Sequence, residues 1–225
     1  MLSIIMSKLF FIPVKEAAKK GIKIANAPDF GTETVGEFGI GLMIALVRRI
    51  YAYAKGETEK LTTPVLYGKT VGILGAGRIG QYFGNIAKAL GMKVIYWKRG
   101  ENMSEVIKSS DILFCALPLS EETRGLLGKK EFSMMKDGSY FVTVSPPEIY
   151  DSDALLGALD KNLAGAAMDN SDYKSSEYLK FKDNKKVLLT PHIAYKTDYG
   201  IKKSFDIMID NIEAFVKGKP INLVN

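Results

Sequence analysis

The sequence is poor in the residues from which disulfides and metal centres are built. It holds one cysteine, Cys115, and one histidine, His192, in 225 residues. A single cysteine excludes an intramolecular disulfide and any cysteine-cluster zinc site, so no metal site is expected. Cys115 lies in the apolar run Ile112–Leu117 and reads as a buried strand residue rather than a reactive thiol. Long apolar runs are missing too. No stretch reaches the ~18 uninterrupted apolar residues of a membrane span, so no membrane partner is expected. The opening MLSIIMSKLFFIPV carries Lys8, has no basic leader and ends in no small-residue cleavage site, so it reads as a strand or docked segment. Repeats and low-complexity tracts are absent.

Charge of one sign is only slightly in excess: 31 Lys and Arg against 25 Asp and Glu give +6. Lys19-Lys20, Lys129-Lys130 and Lys185-Lys186 sit beside acids and turn residues, which describes a solvated surface and not a nucleic-acid face. With 47% hydrophobic and 25% charged residues the chain falls in the ordinary globular range, which excludes disorder. Its length suits one sizeable core with a smaller appendage. A cytoplasmic protein is the expectation, since a reducing compartment suits the lone thiol.

Residues 15–20 read as the end of a helix, and Ile22–Ala25 as a short strand closed by Pro28. From Thr32 to about Lys55, Val35, Phe38, Leu42, Leu46, Ile50 and Tyr53 recur every three or four residues, which predicts one long helix. From Lys69 the rhythm changes. Apolar runs at Thr70–Leu74, Lys93–Trp97, Ile112–Leu117, Tyr140–Val144, Ala164–Met168 and Val187–Leu189 alternate with helical stretches. Near-continuous apolar strands separated by helices predict an α/β fold, a doubly wound parallel sheet covered on both faces. A last amphipathic helix over Tyr199–Val216 gathers Ile201, Phe205, Met208, Ile212 and Phe215 on one face.

Between the first of these strands and its helix stands GILGAGRIG, with Gly75, Gly77 and Gly80 in a G-x-G-x-x-G spacing. The first glycine permits the tight turn, the second lets the backbone approach a pyrophosphate, and the third lets the helix pack on the strand. The next strand ends Tyr96-Trp97-Lys98-Arg99, where NAD sites carry an acid for the ribose hydroxyls. Lys98 and Arg99 attract a 2′-phosphate instead, so NADP is preferred over NAD. Trp97 either stacks near the adenine or caps the sheet edge.

Further stretches extend the pattern: GIKIANAP and TETVGEF within 21–38, KALGMKVIYW at 88–97, PLSEETRGLLG at 118–128, GAAMD at 165–169 and TPHIA at 190–194. With them the chain resembles the D-isomer-specific 2-hydroxyacid dehydrogenases, the group of glyoxylate, hydroxypyruvate and phosphoglycerate dehydrogenases. The resemblance implies hydride exchange between a nicotinamide and C2 of a short 2-oxo or 2-hydroxy acid. It implies a Rossmann-type cofactor domain at 65–192, with 1–64 and 193–225 forming an incomplete flavodoxin-like substrate domain plus interdomain helices. The dinucleotide is expected along Gly75, Ala76, Gly77, Arg78, Ile79 and Gly80, and at Lys98 and Arg99. Leu117, Pro118, Thr123, Val144 and Ser145 are expected to line it from the following loops. Asp169 matches the residue near the nicotinamide carboxamide, and His192 the acid/base acting on the C2 oxygen. The helix from Thr32 resembles the family's dimer-forming helix, so a homodimer is expected.

Three departures accompany this resemblance. Where family members carry A-R-G, with an arginine that binds substrate, this chain has Ser145-Pro146-Pro147. Losing that charged hydrogen bond costs roughly 1.5–3 kcal/mol, or about ten- to a hundredfold in rate. The glutamate that holds the histidine charged is replaced by Lys174, a cation that disfavours protonated His192, with Asp172 and Glu177 as substitutes nearby. Only about twenty residues precede the strand at Ile22, whereas family members carry most of a substrate domain there. A truncated product and a natural remnant patched by MLSIIMSKLFF both fit. The expectation is therefore a dinucleotide-binding homologue with impaired or lost turnover, a possible pseudoenzyme. The alternative is an active NADP-preferring 2-oxoacid reductase with substitute residues.

Overall fold

The computed structural model describes residues 1–5, 12–170 and 175–225. The chain forms two compact units, residues 1–34 with 195–225, and residues 35–194. In the smaller unit β1 (Leu2–Ser3) runs parallel to β2 (Ile24–Ala25), with α1 (Val14–Lys19) between them in sequence. The expected strand at Ile22 starts two residues later. Gly21, at φ +69°, closes α1, and the Ile22 amide is drawn back onto the Ala17 carbonyl at 2.9 Å.

The single helix expected over 32–55 is two, α2 (Thr32–Val47) and α3 (Ile50–Ala54). Arg49 adopts the left-handed conformation, at φ 54°, donates its amide to Leu46 and accepts those of Ala52 and Tyr53, ending one helix and starting the other. Beyond them β3 (Thr70–Leu74), α4 (Arg78–Ala89), β4 (Lys93–Trp97), α5 (Met103–Ser109) and β5 (Ile112–Cys115) alternate. The alternation continues through α6 (Lys129–Ser133), β6 (Ser139–Thr143), α7 (Ser152–Lys161), β7 (Leu163–Asp169), α8 (Ser176–Phe181) and β8 (Val187–Thr190).

The six strands β3 to β8 pair in parallel, in the order β4-β3-β5-β6-β7-β8. This is the doubly wound sheet that the apolar runs predict. One buried cluster gathers Phe132, Phe141, Tyr150, Leu155, Leu159 and Phe181 on residues of the sheet. The other joins Leu42, Met43, Leu46 and Val47 of α2 and Phe83 and Ala87 of α4 to Val71, Ile73 and Phe114. That packing places residues 35–64 with the sheet, so the expected border at 64 lies instead at Thr34. The other border lies at Ala194 rather than 192, because Asp169 holds the amides of Ile193 and Ala194.

The last helix, α9 (Asp198–Val216), is amphipathic in sequence, yet its apolar stripe is not the face it buries. Phe205, Ile209 and Ile212 are 45%, 50% and 46% exposed, while Gly200, Ser204 and Asn211 are buried. The polar side is the anchored one. The Asn211 amide group donates to Asn26 O at 2.9 Å and to Ser3 Oγ at 3.2 Å, and its oxygen accepts from Asn222. Lys203 adds an ion pair to Glu33 at 3.0 Å. Among the described residues, no helix is long and apolar enough to cross a membrane.

Candidate functional site

Strand order locates the site. The chain leaves β3 outward to β4 and returns across it to β5, so the crevice at the carboxyl ends of β3 and β5 is the topological switch point. Gly75 follows β3 at φ +108°, and a Cβ there would stand 2.6 Å from the Ala116 carbonyl oxygen. A Cβ on Gly80 would meet the Gly75 oxygen at 2.0 Å, so the helix approaches the strand as closely as only glycine permits. Gly77 differs from both: nothing lies within 4 Å of its Cβ position, and it is exposed. As the N-cap of α4 it carries no side chain to cap the first turn, and the first helical bond is donated by Gln81 to the Gly77 carbonyl. The helix start therefore leaves amides and the positive dipole end for an anion, and the open space at Gly77 fits a pyrophosphate. The Gln81 side chain donates to Ala76 O at 2.9 Å and fixes the loop between the glycines. Arg78 and Ile79 form the first turn of α4 beside them.

Leu74 pairs with Trp97, so Gly75 and Lys98 leave the sheet side by side. Lys98, Arg99 and Gly100 make an exposed turn. The sequence shows no acid at this strand end, but the fold brings one there. Glu101 Oε2 accepts the Lys98 amide at 3.1 Å, and the Trp97 indole donates to Glu101 O at 2.9 Å. Trp97 is thereby tied to its own turn. Arg99 pairs with Glu122 at 3.1 Å.

The ends of β5, β6 and β7 are tied by a buried polar network. Ser145 Oγ accepts the Leu117 amide at 2.7 Å and lies 3.4 Å from Cys115 Sγ. This diverts the chain from the ladder, so the strand expected to run to Leu117 ends at Cys115. Cys115 is fully buried, and burial pushes its thiol pKa up, which keeps it neutral and unreactive. The Asn170 amide donates to Ser145 O at 2.8 Å, and Tyr150 donates its hydroxyl to Asn170 at 3.3 Å. Val144, from the same segment, donates its amide to Cys115 O. Thr123 is a buried pin: its hydroxyl donates to Pro118 O at 2.7 Å and accepts the Ser120 amide at 2.8 Å. Pro146 offers no donor, and its φ of −54° leads into a short 3-10 turn at Pro147–Ile149.

Asp169 closes β7 at 2% exposure. Its Oδ1 accepts from Thr190 Oγ1 at 2.6 Å and from the Ile193 amide at 2.9 Å, and its Oδ2 from the Ala194 amide at 2.8 Å. These three bonds pin both sides of His192, an exposed residue held at φ 56°. Asp169 therefore shapes the histidine's loop, whatever else it meets. Asp172 and Lys174 lie outside the described residues, and the Glu177 side chain is likewise outside them. Sequence reasoning missed Asn170, Glu101 and Glu122. Glu101 was findable, because an acid two residues beyond Arg99 and one beyond a turn glycine can fold back on the strand end. Asn170 carries no motif signal.

Comparison with known proteins agrees with this geometry. Residues 40–194 match the family model described as D-isomer specific 2-hydroxyacid dehydrogenase, NAD binding domain. The chain is 33% identical to a hydroxypyruvate reductase of Blautia hydrogenotrophica, over 95% of its own length and 74% of the relative's. A D-lactate dehydrogenase from Aquifex aeolicus, solved with NAD and lactic acid, superposes with a TM-score of 0.85 at 26% identity. It matches 99% of this chain and 79% of that one. An acyclic imino acid reductase, Bsp5, solved with NADPH and D-Arg, gives 0.87 at 27% identity, over 100% and 78%.

Proposed function

Because the chain belongs to the D-isomer-specific 2-hydroxyacid dehydrogenase family, we propose that it binds a nicotinamide dinucleotide, prefers the 2′-phosphorylated form, and turns over short 2-oxo acids poorly or not at all. The observation that carries the binding is the uncapped start of α4 at Gly77, open where a pyrophosphate approaches and two residues beyond Gly75, which leaves the sheet beside Lys98. A bound nicotinamide supplies the hydride; this chain supplies position and proton. In this reading Gly75 to Gly80 hold the pyrophosphate, and Lys98 and Arg99 face the adenosine ribose. Leu117, Pro118, Val144 and Ser145 close the crevice, and Thr123 pins its loop. His192, on the loop pinned by Asp169, supplies a proton to the oxygen at C2.

Pro146 supports the impairment. A substrate carboxylate needs a charge-assisted donor at that position, and Pro146 supplies neither charge nor N–H. A cytoplasmic homodimer paired through α2, with residues 1–34 and 195–225 contributing to a substrate domain, completes the proposal. Calorimetric titration with NADPH and NADH tests it, followed by glyoxylate or hydroxypyruvate while the absorbance of the reduced cofactor is recorded. The expected result is tighter NADPH binding and an absorbance that barely falls. Binding of neither nucleotide overturns the reading, and rapid oxidation overturns the impairment.

A further inference from the structure

We propose that Glu101 and Glu122 are specificity-determining residues, built-in competitors that limit how strongly this chain favours a 2′-phosphate over a 2′-hydroxyl. The inference rests on the dinucleotide reading of the Gly75–Gly80 loop. A phosphate at the end of β4 takes two kinds of donor from such a turn, a backbone amide and a guanidinium. Both are already held by carboxylates of the chain itself: the Lys98 amide by Glu101 at 3.1 Å, and the Arg99 guanidinium by Glu122 at 3.1 Å.

The two acids reach the turn from different directions, and neither position is casual. Glu101 is held because its amide donates to Lys98 O at 3.0 Å and its carbonyl accepts the Trp97 indole at 2.9 Å. Glu122 precedes Thr123, the buried pin whose hydroxyl bonds Pro118 O and the Ser120 amide. Its carboxylate is thus delivered to Arg99 by a fixed loop. The Lys98 ammonium has no carboxylate within ion-pair distance among the described residues, so one cation of the turn stays available to a phosphate.

A 2′-phosphate must displace two carboxylates of its own sign, whereas a 2′-hydroxyl can donate to either. Removing one negative charge while keeping its oxygen acceptor therefore shifts affinity toward the phosphorylated dinucleotide alone. The Arg99–Glu122 pair is 72% and 66% exposed, so the shift is moderate and screened by salt.

The test is calorimetric titration of the whole chain, as wild type, Glu122→Gln and Glu101→Gln, with NADPH and NADH at low and high salt. Glutamine at 101 still accepts the Lys98 amide, so the turn keeps its bond. The expected result is a Kd for NADPH lowered about three- to tenfold at low salt in each variant, with NADH within about twofold or weaker. The change in ratio shrinks at high salt. An NADPH-to-NADH ratio unmoved in both variants overturns the inference while NADH binding to the wild type leaves the dinucleotide reading standing. A ratio change indifferent to salt overturns it as well, because charge is then not the cause. If the wild type binds neither nucleotide, the dinucleotide reading falls and the inference falls with it.

Discussion

The carboxyl end of β3 and the carboxyl ends of β6 and β7 sit in one sheet and are built on different principles. At β3 the chain works through its backbone: the essential features are a turn, a close approach and an uncapped helix start, each requiring that a side chain be missing. At β6 and β7 it works through side chains, with Ser145, Asn170 and Tyr150 joined by hydrogen bonds and Asp169 holding Thr190 and the amides of Ile193 and Ala194. Backbone devices are hard to change without breaking the fold. Side-chain devices are not, and Pro146 stands directly after the Ser145 network while the surrounding strands keep their register. The two ends of a single sheet can therefore change independently of each other.

That contrast breaks first at the backbone. Gly80→Ala drives a Cβ to 2.0 Å from the Gly75 oxygen, and we expect a loss of about 2–4 kcal/mol in urea unfolding together with loss of nucleotide binding. Nucleotide affinity surviving at wild-type strength would show that α4 can shift without cost. Next comes Asp169→Ala, which strands the amides of Ile193 and Ala194 and the Thr190 hydroxyl. The expected cost is about 2–3 kcal/mol, with a displaced imidazole proton resonance. Because His192 is the only histidine, its signal needs no assignment, and an unmoved resonance would separate Asp169 from that loop.

Asn170→Ala removes the bond to Ser145 O and should cost about 1–2 kcal/mol while changing NADH affinity less than about twofold. A larger change in affinity would couple the two ends and dissolve the contrast. The smallest effect is at the amino ends of β3 and β5, the other end of the strands. Burial raises the Asp111 pKa, but the Thr70 amide and Lys136 outweigh it and hold the carboxyl below the usual range. A depressed folded pKa stabilises above about pH 4 and loses that contribution as pH falls through it. Asp111→Asn should therefore flatten the acid limb of stability below about pH 4, measured by denaturant midpoints.

The strands of the sheet are legible in the sequence because buried parallel strands are apolar on both faces, and β3 and β4 fall on their expected residues. The glycine loop is legible for a related reason, since a position that tolerates no Cβ admits one residue type. What escapes is set by distance along the chain. Glu122 reaches Arg99 from 23 residues away through a pinned loop, and no local spacing announces it. The break at Arg49 escapes because the apolar periodicity of α2 and α3 continues across it, while the left-handed residue is not a glycine. Helix α9 is the instructive miss. Amphipathic periodicity shows that one face is apolar and leaves open which face the fold buries.

The orientation of α9 has a thermodynamic signature. Denaturant slopes and the heat capacity of unfolding scale with the apolar surface that unfolding newly exposes. A 19-residue helix held by Asn211 and Lys203, with Phe205, Ile209 and Ile212 already about half exposed, has less of that surface left to uncover. Opening of residues 195–225 should then depend weakly on denaturant, so that amide exchange reports a low-slope, locally opening segment in contrast to the steep, cooperative sheet.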